Sequence, residues 1–150
     1  MEWKREEFTI TDRHEDLDMG SVHSFLRESY WAKGIPRMVL EKAVANSVCF
    51  GLYRDSRQIG FGRAVTDRAT FAYLSDIFVV EAYRGLGLGK WLVSCMLGHP
   101  ELQGLRRWLL ATRNAHGLYG KNGFAALRRP EWFMEINDPD IYLQTPGSLA

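Results

Sequence analysis

The chain has 150 residues, of which 46% are hydrophobic and 25% are charged, the balance of a soluble globular domain large enough to bury a core. Its 19 basic and 18 acidic residues leave it nearly neutral, which argues against general nucleic-acid binding. The opening MEWKREEFTI is too charged for a signal peptide, and no apolar run approaches the roughly 20 residues of a membrane span. We therefore expect one domain over residues 1–150, with no nucleic-acid or membrane partner.

Hydrophobic periodicity predicts the elements of the first half of the chain. Phe8 and Ile10 alternate with polar residues as in a strand, whereas Val22, Phe25 and Leu26 recur at helical spacing. The predicted elements are, in chain order, a strand ending at Thr11-Asp12, a helix with Asp16 or Asp18 as N-cap, a helix beginning at Pro36, and a hairpin of strands 48–54 and 58–66 around the turn 55–57.

The pattern of the second half of the sequence predicts that strands and helices continue to alternate. The elements are, in chain order, a strand at 71–80, a helix from about 87 to 97, a buried strand at 106–112, a short helix at 114–121, and final strands at 124–128 and 132–136. Strands joined by short turns pair antiparallel, and the later β-α-β stretch requires a parallel crossover. The predicted fold class is α/β, of mixed α+β type, with a mixed and mostly antiparallel sheet and helices on both faces.

Cysteine and histidine usage indicates a reduced protein without a metal site. Cys49 and Cys95 lie in apolar surroundings without CxxC spacing, which predicts buried free thiols in a cytoplasmic protein. The four histidines are scattered and form no HExxH pattern. We therefore expect no metal ligand set.

The stretch RGLGLGK, residues 84–90, joins a predicted strand to a predicted helix. It is not a P-loop, because Gly85 and Gly89 are four residues apart and Trp91, not a hydroxyl residue, follows Lys90. It fails the GxGxxG dinucleotide pattern in either register, because no third glycine stands at the required place. An Arg-x-x-Gly-x-Gly loop remains, whose backbone N–H groups at a helix N-terminus favour an anion such as a pyrophosphate. The alternative is a glycine-rich turn that makes a tight helix contact.

This loop resembles the acyl-CoA pyrophosphate loop of the GNAT superfamily, the acetyl-CoA-dependent N-acetyltransferases, whose signature is Arg/Gln-x-x-Gly-x-Gly/Ala. A second family motif is matched by AHGLYGKNGF at 115–124, and the order of elements also agrees. Two positions depart from the pattern: Glu81 stands where proline is frequent, and Thr112 stands where asparagine is frequent, with Asn114 two residues later. The resemblance implies the acyl-CoA N-acyltransferase fold, acetyl-CoA as co-substrate and N-acetyltransferase activity.

The resemblance also implies roles for individual residues. Acetyl-CoA would be bound by Arg84, Gly85, Leu86, Gly87, Leu88, Gly89 and Lys90, with Asn114 at the pantetheine. The backbone N–H of Phe78 or Val79 would hold the thioester oxygen, and Tyr119 would protonate the leaving thiolate. The alternative for Tyr119 is a buried aromatic residue that only packs.

Acetyl transfer to an amine also requires a neutral nucleophile. An alkylamine with a pKa near 10.4 needs about 4–5 kcal/mol to be neutral at pH 7, which a base or a desolvating pocket must offset. Asp76 is the best candidate for the base, because a carboxylate inside a strand is costly unless it is solvated or paired. A salt-bridged or edge-exposed aspartate is the alternative. His116, Glu28 and Glu41 are weaker candidates, each of which also fits an exposed surface position.

Residues 25–37 join the first two predicted helices and carry more apolar surface than an idle surface turn requires. Tyr30 and Trp31 are adjacent, so at least one should face away from the core and attract a cationic amine. The alternative is that these rings complete the core. We expect a small-molecule or peptide amine acceptor, and a homodimer is possible in the family. A non-catalytic acyl-CoA-binding module and a nucleotide-phosphate binder are the rival interpretations.

Overall fold

The computed structural model describes residues 1–143, which form one sheet with helices packed on both of its faces. The strands are Glu2–Arg5 (β1), Phe8–Thr11 (β2), Val48–Arg54 (β3), Arg57–Thr66 (β4), Phe71–Val79 (β5) and Arg107–Leu110 (β6). The α-helices are Met19–Leu26 (α1), Arg37–Ala45 (α2), Leu88–Leu97 (α3) and His116–Gly120 (α4). None of the helices within residues 1–143 is long and apolar enough to span a bilayer.

The strands lie in the sheet in chain order, and every neighbouring pair from β1 to β5 is antiparallel. β6 pairs with β5 in parallel, from Phe71 opposite Arg107 to Leu74 opposite Leu110. This arrangement confirms the predicted mixed and mostly antiparallel sheet. β6 ends at Leu110, opposite Leu74, whereas β5 continues to Val79. The last residues of β5 therefore have no described strand on that side and border a cleft.

The sheet separates two apolar cores, because successive side chains of a strand point to opposite faces. In β3, Phe50 packs on the α3 side and Cys49 on the side of α1 and α2. The first core takes from α3 the buried side chains of Leu88, Leu92, Val93, Cys95 and Met96. The second takes from α1 and α2 those of Val22, Leu26, Leu40 and Val44. These cores confirm the predicted helices on both faces.

The prediction of strands was wrong at the two ends of the described chain. Residues 2–5 form a strand that was not predicted, because Trp3 is its one apolar residue and gives no alternating pattern. Trp3 connects this strand to the core through Phe50, with 5.9 Å between ring centroids. Residues 124–128 and 132–136 were predicted as strands, but the structure has no strand in either segment. Pro130–Trp132 form a short 3-10 turn instead. A strand forms only against a partner, and no described residue pairs with either segment.

Candidate active site

A cleft lies beyond the end of β6, between the carboxyl end of β5, the start of α3 and α4. Its cavity measures about 570 Å³, and a second cavity of about 430 Å³ adjoins it and shares the walls formed by Tyr30, Trp31 and Tyr119. All of the residues predicted to bind acetyl-CoA line the larger cavity except Leu86, which is exposed. Asp76 lines the smaller one. The structure thus gathers the predicted site into two adjoining cavities.

The loop 84–90 carries two left-handed residues, Gly85 with φ of 83° and Gly87 with φ of 77°. Side chains with a Cβ adopt this region only with strain, whereas glycine adopts it freely. A Cβ at either position would meet no described protein atom within 4 Å, so internal packing does not require these glycines. This open space argues against the interpretation that the loop is only a turn with a tight helix contact.

Helix α3 begins directly after this loop and leaves its first N–H groups open. Its first hydrogen bond runs from the N–H of Trp91 to the carbonyl of Gly87, at 3.1 Å. The N–H groups of Leu88, Gly89 and Lys90 precede it and have no acceptor within the helix. No side chain among the described residues caps this end. Open donors and the positive end of the helix dipole form a cradle for an anionic group.

One contact connects the cradle to the end of β5, and a second connects that end to β4. Arg84 donates a hydrogen bond from Nε to the carbonyl of Val79, at 2.9 Å, so the loop is held against the strand. The N–H of Val80 donates to the carbonyl of Ile59 in β4, at 2.8 Å. Because backbone groups alternate in direction along a strand, the N–H of Val79 points away from β4, toward the cleft, and that of Phe78 toward β4. Of the two predicted donors to the thioester oxygen, Val79 has the suitable direction.

Tyr119 lies on α4 and borders both cavities. Its half-buried ring packs edge-on against Phe124, with 6.0 Å between ring centroids. Burial raises the pKa of the phenol, and the nearby Tyr30 adds to this effect. The hydroxyl is therefore protonated at neutral pH and available as a proton donor.

Asp76 lies in a bulge of β5. Phe61 faces Phe78 and Arg63 faces Ser75, so two residues of β5 stand opposite one of β4. Asp76 itself has φ of 57°, a region that aspartate tolerates better than most residues. The bulge places a carboxylate that is only 7% exposed at the wall of the smaller cavity.

The carboxylate of Asp76 already has two partners. One oxygen accepts from Arg63 Nε at 2.8 Å, and the other accepts from Trp31 Nε1 at 2.9 Å. Arg63 also donates to the hydroxyls of Ser47 and Ser75, at 3.1 and 3.3 Å. This network fixes the indole of Trp31 at the mouth of the cavity. It also matches the alternative interpretation of Asp76, that of a salt-bridged aspartate. The role of Asp76 as general base stays a prediction.

The connection between α1 and α2 borders the cleft, and both of its aromatic residues, Tyr30 and Trp31, line it. Tyr30 and Trp31 are 46% and 41% exposed, and their rings meet edge to face at 5.1 Å. The guanidinium of Arg113 lies 4.2 Å from the centre of the Tyr30 ring, and the N–H of Arg113 donates to the Tyr30 hydroxyl at 3.2 Å. Tyr30 therefore bridges the two walls of the cleft.

The weaker candidates for the base lie elsewhere. Glu28 and Glu41 are exposed and pair with neighbouring basic residues, Glu41 with Arg37 at 2.9 Å. His116 is exposed on α4 and lines neither cavity of the cleft. None of the three is placed to contact an acceptor in the cleft.

Sequence reasoning missed three residues of the site. Arg63 carried a signal, because a cation within a buried strand requires an anionic partner. Phe25 was predicted as a helix residue; its ring packs against the core beneath α1, stacks on Phe78 with 3.8 Å between ring centroids, and also lines the cleft. Arg113 carried no signal, because its contact with Tyr30 depends on two loops that are distant in sequence.

Comparison with known proteins gives consistent matches. The family model of the acetyltransferase (GNAT) domain matches residues 45–126. A crystal structure from Xanthomonas campestris pv. campestris, assigned to the GNAT acetyltransferases, is 43% identical, with a TM-score of 0.88 over 90% of this chain and 96% of that one. A Gibberella zeae protein assigned as an acetyltransferase is 29% identical over 80% of each chain.

A more distant structure shares the fold and contains acetyl-CoA. It is an acetyltransferase from Clostridium acetobutylicum with acetyl-CoA, 13% identical, with a TM-score of 0.63 over 87% of this chain and 94% of that one. The family model covers more than half of the present chain, and its match includes the loop 84–90 and Tyr119. The chain therefore belongs to the GNAT family of acetyltransferases.

Proposed function

We propose that this acetyltransferase moves the acetyl group of acetyl-CoA to a primary amine of a small molecule or peptide. One observation carries the proposal: a single cleft joins an anion cradle at 84–90, an inward N–H at Val79 and a protonated phenol at Tyr119. These are the three features that thioester aminolysis needs, in one continuous space. The acetyl-CoA in the related Clostridium acetobutylicum structure supports the choice of acyl donor.

The residues of the cradle fit the pyrophosphate of acetyl-CoA. The open N–H groups of Leu88, Gly89 and Lys90 can donate to phosphate oxygens, and the exposed cation of Lys90 adds attraction. The space above Gly85 and Gly87 leaves room for those oxygens to approach the backbone. The apolar wall formed by Phe25 and Leu118 is suited to the chain that connects the pyrophosphate to the thioester.

The chemical step is a displacement at the acyl carbon. The amine nitrogen forms a bond to that carbon and the carbon–sulfur bond breaks. The N–H of Val79 stabilises the oxygen as it gains negative charge. Tyr119 gives its proton to the departing sulfur, and the nitrogen releases its surplus proton to solvent, which restores the phenol. A buried phenol suits this task, because it keeps its proton until the sulfur gains charge.

We infer that the acceptor amine occupies the smaller cavity, beside Trp31 and Asp76. Aromatic faces and a carboxylate attract a cationic amine before it reacts. Asp76 acts here as a positioning residue, because its hydrogen bonds to Trp31 and Arg63 hold the wall in place. Removing the charge of Asp76 would leave the Arg63 guanidinium without its anionic partner and would lower the free energy of unfolding by about 3–5 kcal/mol. A substitution at Trp31 avoids this loss of stability and is therefore the better test.

A thiol-release assay tests the proposal. The protein is incubated with acetyl-CoA and a panel of primary amines, and free CoA thiol is followed with a chromogenic disulfide reagent. We expect thiol release that depends on one class of amine. Binding of acetyl-CoA without amine-dependent release would instead identify the non-catalytic acyl-CoA-binding module. The free and buried Cys49 and Cys95 support placing the enzyme in the cytoplasm, and they should not interfere with the reagent.

A further inference from the structure

The smaller cavity of the cleft carries a cation that the proposed chemistry does not use. Arg113 lies on the loop that follows β6, and no other lysine or arginine among the described residues lines this cavity. Within residues 1–143 its guanidinium takes part in no ion pair and no hydrogen bond. The N–H groups of this guanidinium are therefore available to bind an anionic ligand in the cavity.

The carboxylate that lines the same cavity does not balance this charge. Asp76 pairs with Arg63 at 2.8 Å, and its other oxygen accepts from Trp31 at 2.9 Å. Because Arg63 already offsets the charge of Asp76, Arg113 gives the wall of the cavity a net positive charge. A cleft lined by charge of one sign concentrates ligands of the opposite sign. The cavity thus favours an acceptor that carries a negative group in addition to its amine.

Tyr30 holds the guanidinium of Arg113 at the edge of the cavity. The guanidinium carbon lies 4.2 Å from the centre of the Tyr30 ring, and the backbone N–H of Arg113 donates to the Tyr30 hydroxyl at 3.2 Å. The contact with the ring leaves the guanidinium its planar fork of N–H groups, which binds a carboxylate through two hydrogen bonds. The Tyr30 hydroxyl is the acceptor in its bond, so its own proton can be donated to the same carboxylate. Holding these donors in place before binding lowers the entropic cost of binding.

We propose that Arg113 binds the carboxylate of the acceptor, which is therefore a small amino carboxylate such as an amino acid. This assignment rests on the proposed function, which puts the acceptor amine in the smaller cavity. The two charged groups of such an acceptor meet opposite charges on different walls: the ammonium lies near Asp76 of β5, and the carboxylate binds Arg113 on the loop after β6. The cavity of about 430 Å³ lies near the lower end of the ~300–1,000 Å³ that small-molecule sites span.

Arg113 takes no part in the acyl transfer itself. The carboxylate keeps its charge while the amine nitrogen forms its bond to the acyl carbon and the carbon–sulfur bond breaks. Its attraction to the guanidinium is therefore the same before the reaction and during it. An interaction of this kind lowers the acceptor KM and leaves kcat unchanged. This difference separates the role of Arg113 from that of Tyr119, whose loss lowers kcat.

Steady-state kinetics with paired acceptors tests the proposal. The standard amino acids, β-alanine and O-phosphoethanolamine are compared with the carboxamides of the same amino acids in the thiol-release assay, at saturating acetyl-CoA. Rates are normalised to the concentration of neutral amine, since a carboxylate and a carboxamide give the amine different pKa values. For wild type, we expect the KM of the best amino acid to lie about 10- to 150-fold below that of its carboxamide, because the carboxamide loses a hydrogen bond between charged groups.

Variants of Arg113 give a second readout in the same assay. Arg113→Gln should raise the KM of that amino acid by about 10- to 150-fold and leave its kcat, the KM of the carboxamide and the Kd for acetyl-CoA unchanged. Arg113→Lys keeps the charge without the planar fork and should give an intermediate KM. Arg106→Gln is the matched control, because Arg106 is also exposed and lines neither cavity of the cleft, and this variant should match wild type.

The outcomes distinguish this assignment from the proposed function. Release that is as strong with uncharged amines as with every amino acid, a preference for O-phosphoethanolamine over all amino acids, or a wild-type KM in Arg113→Gln would each overturn the role of Arg113 while the proposed function stands. Release with none of these acceptors, nor with the wider amine panel, would instead refute the proposed function, on which the role of Arg113 depends.

Discussion

Gly87 offers the sharpest test of the anion cradle, because Gly104 provides a matched control. Gly87 has φ of 77° and Gly104 has φ of 75°, and a Cβ at either would meet no described protein atom within 4 Å. Replacing either glycine by alanine therefore carries the same backbone strain, about 1–2 kcal/mol. In a chain of this size, that strain lowers Tm by about 2–8 °C. Both variants should fold, with similar losses of stability.

Only Gly87→Ala should weaken acetyl-CoA binding, because Gly104 lies outside the cleft. The new methyl group occupies the space through which a phosphate oxygen reaches the N–H groups of α3. Loss of one hydrogen bond to a charged group is worth about 1.5–3 kcal/mol, which corresponds to a rise in Kd of about 10- to 150-fold. Isothermal titration calorimetry with acetyl-CoA measures this change, and differential scanning calorimetry measures the stability. Equal Kd values for the two variants would refute the assignment of the cradle.

Three further predictions concern the chemical step and the acceptor. Tyr119→Phe keeps the ring and removes the proton donor, so kcat should fall about 10²- to 10⁴-fold in a thiol-release assay while the Kd for acetyl-CoA is unchanged; a change within about twofold would contradict the role of the phenol. Trp31→Phe removes the N–H that donates to Asp76, so the acceptor KM should rise about tenfold at constant acetyl-CoA affinity, and unchanged acceptor kinetics would place the amine elsewhere. For an alkylamine acceptor, whose pKa lies near 10.4, kcat/KM for the acceptor should rise about tenfold per pH unit between pH 6 and 9, because the amine must be neutral to attack. Burial raises the pKa of Tyr119, so no falling limb is expected in this range, and a plateau above pH 7 would reveal a protein base.

The sequence was most informative where structure depends on local chemistry. The loop 84–90 has left-handed backbone at Gly85 and Gly87, just before a helix begins. Because glycine adopts this conformation freely, glycines at these positions are a direct sequence signal for such a loop. The motif at 115–124 predicted Tyr119, and the structure places that residue at the border of both cavities. Strands β3, β4 and β5 were predicted near their observed bounds, because alternation and short turns define them within a few residues.

The sequence was less informative where structure depends on a distant partner. Residues 132–136 have the composition of a strand, but a strand forms only against a partner, and none of the described strands pairs with this segment. Asp76 could be identified as unusual, yet its partners Arg63 and Trp31 are defined only by the bulge of β5 and by the connection between α1 and α2. Such pairings arise from tertiary contacts that local periodicity does not encode.

Transfer of labelled acetyl is the most direct test of the central claim, that an acetyl group moves from acetyl-CoA to a primary amine in this cleft. Wild type and Tyr119→Phe are incubated with acetyl-CoA carrying a ¹³C-labelled acetyl group and with the amine that scores best in the thiol-release panel. Mass spectrometry then follows the acceptor. We predict a labelled amide on the amine nitrogen, formed by wild type and strongly reduced for the variant. Labelled acetate without a labelled acceptor, or equal amide from both proteins, would contradict the proposed mechanism.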